Sequence, residues 1–196
     1  RCGGGIVTDA LGWLDEAAEQ REQLGLHRDP PVRGAATAGL LNLSSNDYLG
    51  LSADPRVIAG AARALADFGA GSTGSRLVSG TTQCHTAFEA DLADFTGFGA
   101  GLCFSSGYLA NLGAISALVG RGDLIVSDAG AHASLIDGCR MSKARRMIYP
   151  HSDMAALEAK LKEAQGARRI FIVTDGVFSM EGDIAKLPEI VALAKK

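Results

Sequence analysis

Ser105, Ser106 and Gly107, followed by Tyr108, form the stretch of this chain whose residue types and spacing most directly suggest chemistry. Ala100 to Phe104 before them is small, apolar and aromatic, which reads as a buried strand. Leu109, Leu112 and Ile115 after them have helical spacing. A strand, a tight Ser/Gly turn and a helix start together make an anion site. The first N–H groups of a helix have no partner inside it, the helix dipole favours negative charge there, and small turn residues let a phosphate come close. Ser and Gly are also ordinary turn formers, so on pattern alone a plain connection fits equally well. Two further polar turns carry reactive types: SDAGAHAS at 127 to 134, with His132 just before a helix, and TDGVFSMEGD at 174 to 183, with Asp175 and Ser179. A lone histidine at a helix start more often caps than reacts.

The elements that must position these turns alternate regularly. Helix 83 to 96 ends at Gly97. Strand 100 to 104 leads to helix 108 to 119, strand 123 to 127 to helix 133 to 141, and strand 145 to 149 to helix 153 to 164. Strand 169 to 174 and a helix from about Leu187 complete the series. Strands alternating with helices imply right-handed βαβ units in a mostly parallel sheet covered on both faces, with ligands at the carboxyl ends of the strands. Upstream, the spacing predicts a helix from Thr8 or Asp9 to Gly25, a connector to Gly39, a short strand Leu40 to Leu43, the polar turn SSNDYLGL, and a helix over 56 to 68 opened by Asp54-Pro55. Residues 1–5 carry no readable signal. The expected organisation is an N-terminal helix and connector over 1–50 and the N-terminal part of a large α/β domain over 51–196.

Gly69, Gly71 and Gly74 spell G-x-G-x-x-G. The dinucleotide fingerprint needs a strand before it and a helix directly after, and here a helix precedes and SRLVSG follows. The expectation is instead a mobile loop that lets backbone and Arg76 approach a ligand or a partner, or a plain crossing loop. There is no G-x-S-x-G elbow and no G-x-x-x-x-G-K-[ST] loop, so serine-hydrolase and P-loop readings find no support. The 196 residues are 47% hydrophobic, enough for a sizeable core, and the net charge of −3 gives no electrostatic reason to expect nucleic acid or an anionic membrane. Arg168 and Arg169 read as a solvated strand edge. Cys2, Cys84, Cys103 and Cys139 are widely spaced without zinc-ligand spacing, and the four histidines have no metal-type pattern. His85 reads as structural, and His27 and His151 gain no functional reading. With no apolar run of 18 residues and no leader pattern, a cytoplasmic protein is the natural expectation.

Taken together, SSNDYLGL (44 to 51), GSTGSRLVSGTTQCHTAFEADLADF (71 to 95), FSSGYLAN (104 to 111), HASLIDGCRMSKA (132 to 144) and TDGVFSMEGD (174 to 183) resemble the α-oxoamine synthases, in the same order and at the family's spacing. These are pyridoxal 5'-phosphate (PLP) enzymes of aminotransferase fold type I. The resemblance implies PLP as cofactor, with Gly107 and Tyr108 contacting its phosphate. It implies His132 stacked on the pyridine ring and touching substrate, rather than capping its helix, and Ser179 touching the cofactor. Asn46 would help hold an amino-acid carboxylate across a homodimer interface, and Arg28, or His27 beside it, would contact substrate. Ala131 departs from the Ser or Asn usual before the stacking histidine. The wording of the glycine loop and the SSGYLAN turn is closest to the branch that condenses L-alanine, with decarboxylation, with a pimeloyl thioester of coenzyme A or a carrier protein.

The family's cofactor-anchoring lysine follows a D-[DE]-[AS]-H strand expected beyond Lys196. None of Lys143, Lys160, Lys162, Lys186, Lys195 or Lys196 stands in a matching context. The resemblance therefore implies the N-terminal half of such an enzyme, inactive by itself. Other branches using glycine or serine, and a non-catalytic binding or regulatory half-domain, are the alternatives.

Overall fold

The strand Leu124–Asp128 (β1) is buried at every position, and the packing of residues 63–196 follows from that. Successive side chains of a strand point to opposite faces. Leu124 and Val126 enter one core with Tyr149, Leu157, Phe178 and Ile190, while Ile125 enters another with Ile115, Val119, Leu135 and Cys139. A strand that is apolar on both faces is the signature of a sheet covered by helices on both sides. β1 is flanked by Arg145–Tyr149 (β2) and Ile170–Val173 (β3), both parallel to it, in the order β2-β1-β3. The structure, a computed structural model, describes residues 10–30, 32, 42–164 and 166–196.

The chain divides into two compact units, Arg1–Ala62 and Arg63–Lys196. In the first, helix α1 (Trp13–Gln23) starts after Gly12. It stops where Gly25, at φ +65°, turns its N–H to the Glu22 carbonyl while the Leu26 N–H reaches Arg21. Thr8, Asp9, residues 1–5 and the first half of the expected strand at Leu40 to Leu43 lie outside the described residues. Asn42 and Leu43, which are described, are not in a strand. SSNDYLGL is a polar turn, as expected: the Asp47 N–H donates to Ser45 Oγ across Asn46 (3.0 Å), and the Asp47 carboxylate takes the Ser52 hydroxyl at 2.5 Å. Helix α2 covers Pro55–Phe68.

In the second unit, α3 (Gln83–Thr96) begins with a reciprocal cap. Thr82 is the N-cap, and the His85 ring returns a bond to the Thr82 N–H (3.2 Å). It ends at Gly97, φ +74°. Helices α4 (Gly107–Leu118), α5 (Ala133–Met141), α6 (Met154–Glu163) and α7 (Leu187–Ala194) follow at the expected places.

Two expectations are corrected here. Residues 100–104 form no strand: no described strand runs beside them, and a strand needs a neighbour to take its N–H and C=O groups. The glycine loop is also anchored. Arg76–Gly80 winds one π-helical turn in which the Gly80 N–H reaches the Ser75 carbonyl (2.8 Å). The Arg76 guanidinium grips Glu89 of α3 through two bonds (2.5 and 3.0 Å) and also donates to the Cys103 carbonyl at 3.1 Å. Glu89 in turn accepts the Cys103 N–H at 2.7 Å. Arg76 first, and then that N–H, hold the Glu89 carboxyl down to about 2. Arg76 thus acts as a clamp on residues 101–104 and is not free to reach a ligand. Arg168 and Arg169 are likewise engaged, both ion-paired to Asp123, whose side chain is wholly buried below β1.

Candidate functional site

The turns that follow β1 and β3 meet the start of α4 at the carboxyl end of the sheet. At α4, Ser106 is the N-cap and its Oγ accepts the Leu109 N–H at 3.2 Å. The N–H groups of Gly107 and Tyr108, at the first two helical positions, have no carbonyl within the helix to bond. A Cβ built on Gly107 meets no heavy atom within 4 Å, and the residue is not left-handed. Turn strain is therefore not the reason for glycine; the space above the helix start is simply open.

His132 does cap α5, which corrects the role the resemblance implied in that respect. Its Nδ1 accepts the Ser134 N–H at 3.2 Å and lies 2.7 Å from Ser134 Oγ. A backbone N–H can only donate, so Nδ1 carries no proton, the Ser134 hydroxyl donates to it as well, and the ring proton is on Nε2. Asn111 of α4 completes the chain by donating from Nδ2 to Ser134 Oγ at 2.9 Å. The His132 N–H donates to Asp175 Oδ2 at 2.7 Å, tying the α5 start to the turn after β3. The ring itself is exposed and stands edge-on to Tyr108, with centroids 6.3 Å apart at 75°. The Tyr108 hydroxyl donates to Asp137, a bond that raises its pKa and keeps the phenol neutral.

Capping uses only one edge of the imidazole, so a planar group can still lie along its face while the α4 N–H groups hold an anion. The donor set fits a phosphate-bearing aromatic cofactor: free N–H groups over open space and an aromatic face whose tautomer is fixed from behind.

The structure brings Gly107, Tyr108 and His132 together. Ser179 lies in the same loop as Asp175, exposed, and makes no hydrogen bond to His132 or Tyr108. Arg28 and Asn46 are both exposed and belong to the first unit; beside Arg28, His27 pairs with Asp29 at 2.9 Å. Sequence reasoning missed Asn111 and Ser134, and it noted Asp175 without giving it a role. All three stand inside quoted motifs, FSSGYLAN, HASLIDGCRMSKA and TDGVFSMEGD, but nothing local says that Asn111 and Ser134 bond across 23 residues.

The family model for class I and II aminotransferases matches residues 38–196, and the chain belongs to that family. Among curated relatives it is 53% identical over 180 residues to an 8-amino-7-oxononanoate synthase of Mycobacterium sp. (strain JLS), covering 92% of this chain and 47% of that protein. It is 53% identical over 191 residues to the synthase of the same name from Mycolicibacterium vanbaalenii, covering 97% and 50%. The chain thus spans about half the length of the curated relatives it matches. Among solved structures, Sphingomonas wittichii serine palmitoyltransferase matches with a TM-score of 0.82 at 38% identity, over 96% of this chain and 50% of its own. An 8-amino-7-oxononanoate synthase from Francisella tularensis matches at 0.64 and 31%, over 76% and 41%. Among the described residues, no helix is long and apolar enough to cross a membrane.

Proposed function

We propose that this chain supplies the N-terminal half of an α-oxoamine synthase of the 8-amino-7-oxononanoate kind: a cytoplasmic, homodimeric PLP enzyme that condenses L-alanine with a pimeloyl thioester and releases CO2. The observation that carries the reading is the meeting of the α4 N–H groups, over open space, with the exposed and tautomerically fixed ring of His132. About 50% identity to synthases of that name over nearly the whole chain supports it. When bound, PLP supplies the electron sink that lets an amino acid lose its carboxylate and form a new carbon–carbon bond.

The roles fall to this chain's residues as follows. The N–H groups of Gly107 and Tyr108 hold the phosphate. His132 lies on the ring face and positions the substrate, Ser179 contacts the cofactor, Asn46 helps hold the substrate carboxylate, and Arg28, or His27 beside it, contacts the substrate. Residues 1–50 act as the N-terminal segment and 51–196 as the first part of the cofactor domain.

The test is to assay a polypeptide that carries this chain and spans the relatives' full length, with L-alanine, glycine and L-serine against pimeloyl, acetyl and palmitoyl thioesters. Product from alanine and a pimeloyl thioester, dominant over every other pair, is expected. Dominance of glycine or serine moves the chain to another branch, and no product with any pair refutes the enzymatic reading.

A further inference from the structure

Outside the residues given roles above, one cluster joins three titratable side chains from three separate places in the chain. His151, just after β2, places Nδ1 2.9 Å from Asp128 Oδ1 at the end of β1, and Nε2 3.1 and 3.3 Å from the two oxygens of Asp183. The ring also packs edge-on against Phe178, centroids 4.3 Å apart. Phe178 is buried and belongs to a small hairpin: Val177 pairs with Ile184, the Phe178 N–H donates to the Asp183 carbonyl (2.9 Å) and the Gly182 N–H to the Phe178 carbonyl (2.8 Å). That hairpin carries Ser179.

The anchor end is rigid. Besides His151, Asp128 accepts the Gly130 N–H at 2.7 Å and the Ser152 N–H at 3.0 Å. Ser152 is held at φ +54°, a region a serine occupies only when its surroundings fix it. A Cβ at Gly130 would come within 2.8 Å of His151 Nδ1, so the ring sits hard against that turn.

We infer that His151 is a positioning residue: bridging Asp128 and Asp183, it holds the Ser179 hairpin at the carboxyl end of the sheet, and it does so only while both ring nitrogens carry protons. Both nitrogens face carboxylate oxygens, and an ionised carboxylate can only accept. The complete bridge therefore needs the imidazolium. Asp128, the Asp183 carboxylate, and burial acting in the opposite direction set the charge on the ring, and the net effect raises its pKa. Near it, the Tyr149 phenol is pushed up to about 12 by burial and by the Asp128 charge, so it stays neutral, and the Lys186 ammonium is occupied by the Ser152 carbonyl at 3.0 Å.

A group whose folded pKa is raised stabilises the fold at low pH and loses that contribution as pH rises through the folded value, here above the ordinary imidazole value of 6.5. When one proton leaves, the buried acid keeps its donor: the Asp128 side chain is 2% exposed, that of Asp183 45%. The contact to Asp183 opens, and the hairpin loosens on the site side. The effect on cofactor contact rests on the role proposed for Ser179; the bridge does not.

The experiment uses the full-length polypeptide and measures amide hydrogen exchange at Phe178 and Gly182, corrected for intrinsic rate, between pH 6 and 9, with PLP affinity titrated at the same values. Wild-type protection should fall about three- to tenfold as pH rises, a range set by the half-exposed partner. Asp183→Asn should flatten that fall, because an amide can accept from Nε2–H or donate to bare Nε2. His151→Ala should be poorly protected throughout. Wild-type protection that ignores pH, or an Asp183→Asn profile as steep as wild type, overturns the inference. Should the pattern appear while wild type binds no PLP, the bridge stands and the cofactor reading falls.

Discussion

Ser134→Ala tests the device that orients His132. Ser134 is 1% exposed, and its hydroxyl stands between two groups: it donates to His132 Nδ1 at 2.7 Å and accepts from Asn111 Nδ2 at 2.9 Å. Truncation removes both bonds and strands a partly buried amide donor, a loss of about 1–3 kcal/mol. Alanine is the better helix former by roughly 0.5 kcal/mol, which offsets part of that loss. The net expectation is about 0.5–2.5 kcal/mol of destabilisation, with Tm lowered by about 2–4 °C for each kcal/mol. Urea unfolding of the full-length polypeptide reads it. Asn111→Ala and the double variant close a cycle whose coupling should reach at least about 0.5 kcal/mol, since residues in one hydrogen-bond network do not add. A Ser134→Ala loss within the ~0.5 kcal/mol typical of surface changes, or strictly additive single variants, would show that the chain from Asn111 to His132 is not formed.

Leu157, fully buried between α6 and β1, should cost about 2–5 kcal/mol when cut to alanine, measured by the same unfolding assay. Glu89 has a folded pKa lowered from 4.5 to about 2, so its contribution is complete above pH 4.5 and is lost as pH falls toward 2; acid unfolding of Glu89→Gln should be flatter across that window. Gly107→Val places a branched side chain in the open space above α4 and should weaken PLP affinity of the full-length polypeptide at least about tenfold, read by fluorescence titration; unchanged affinity sinks the phosphate role. The 196-residue chain alone, mixed with PLP and reduced with borohydride, should show no specifically labelled lysine and no alanine-dependent product by mass spectrometry.

What the sequence by itself determined is local in origin. The helix ends at Gly25 and Gly97, the bounds of α5 and β2, and the alternation of strands with helices all follow from apolar period and cap residues within a few positions of each other. The five quoted motifs likewise carried the family, because each is a contiguous word. Tertiary structure decided the rest. Residues 100–104 read as a strand from their composition, but a strand is a relation between two segments, and no described strand lies beside them. Arg76 looked available because its partners, Glu89 and Cys103, are 13 and 27 residues away. His132 both caps and faces the site because Ser134 supplies the cap donor and Asn111 locks it from another helix. His151 gave no signal at all, since its partners stand 23 and 32 residues off and are brought to it only by the parallel crossing of β1 and β2 and the return of the chain after β3. Side-chain period encodes which face a residue takes; which charges then meet across that face is set by the topology.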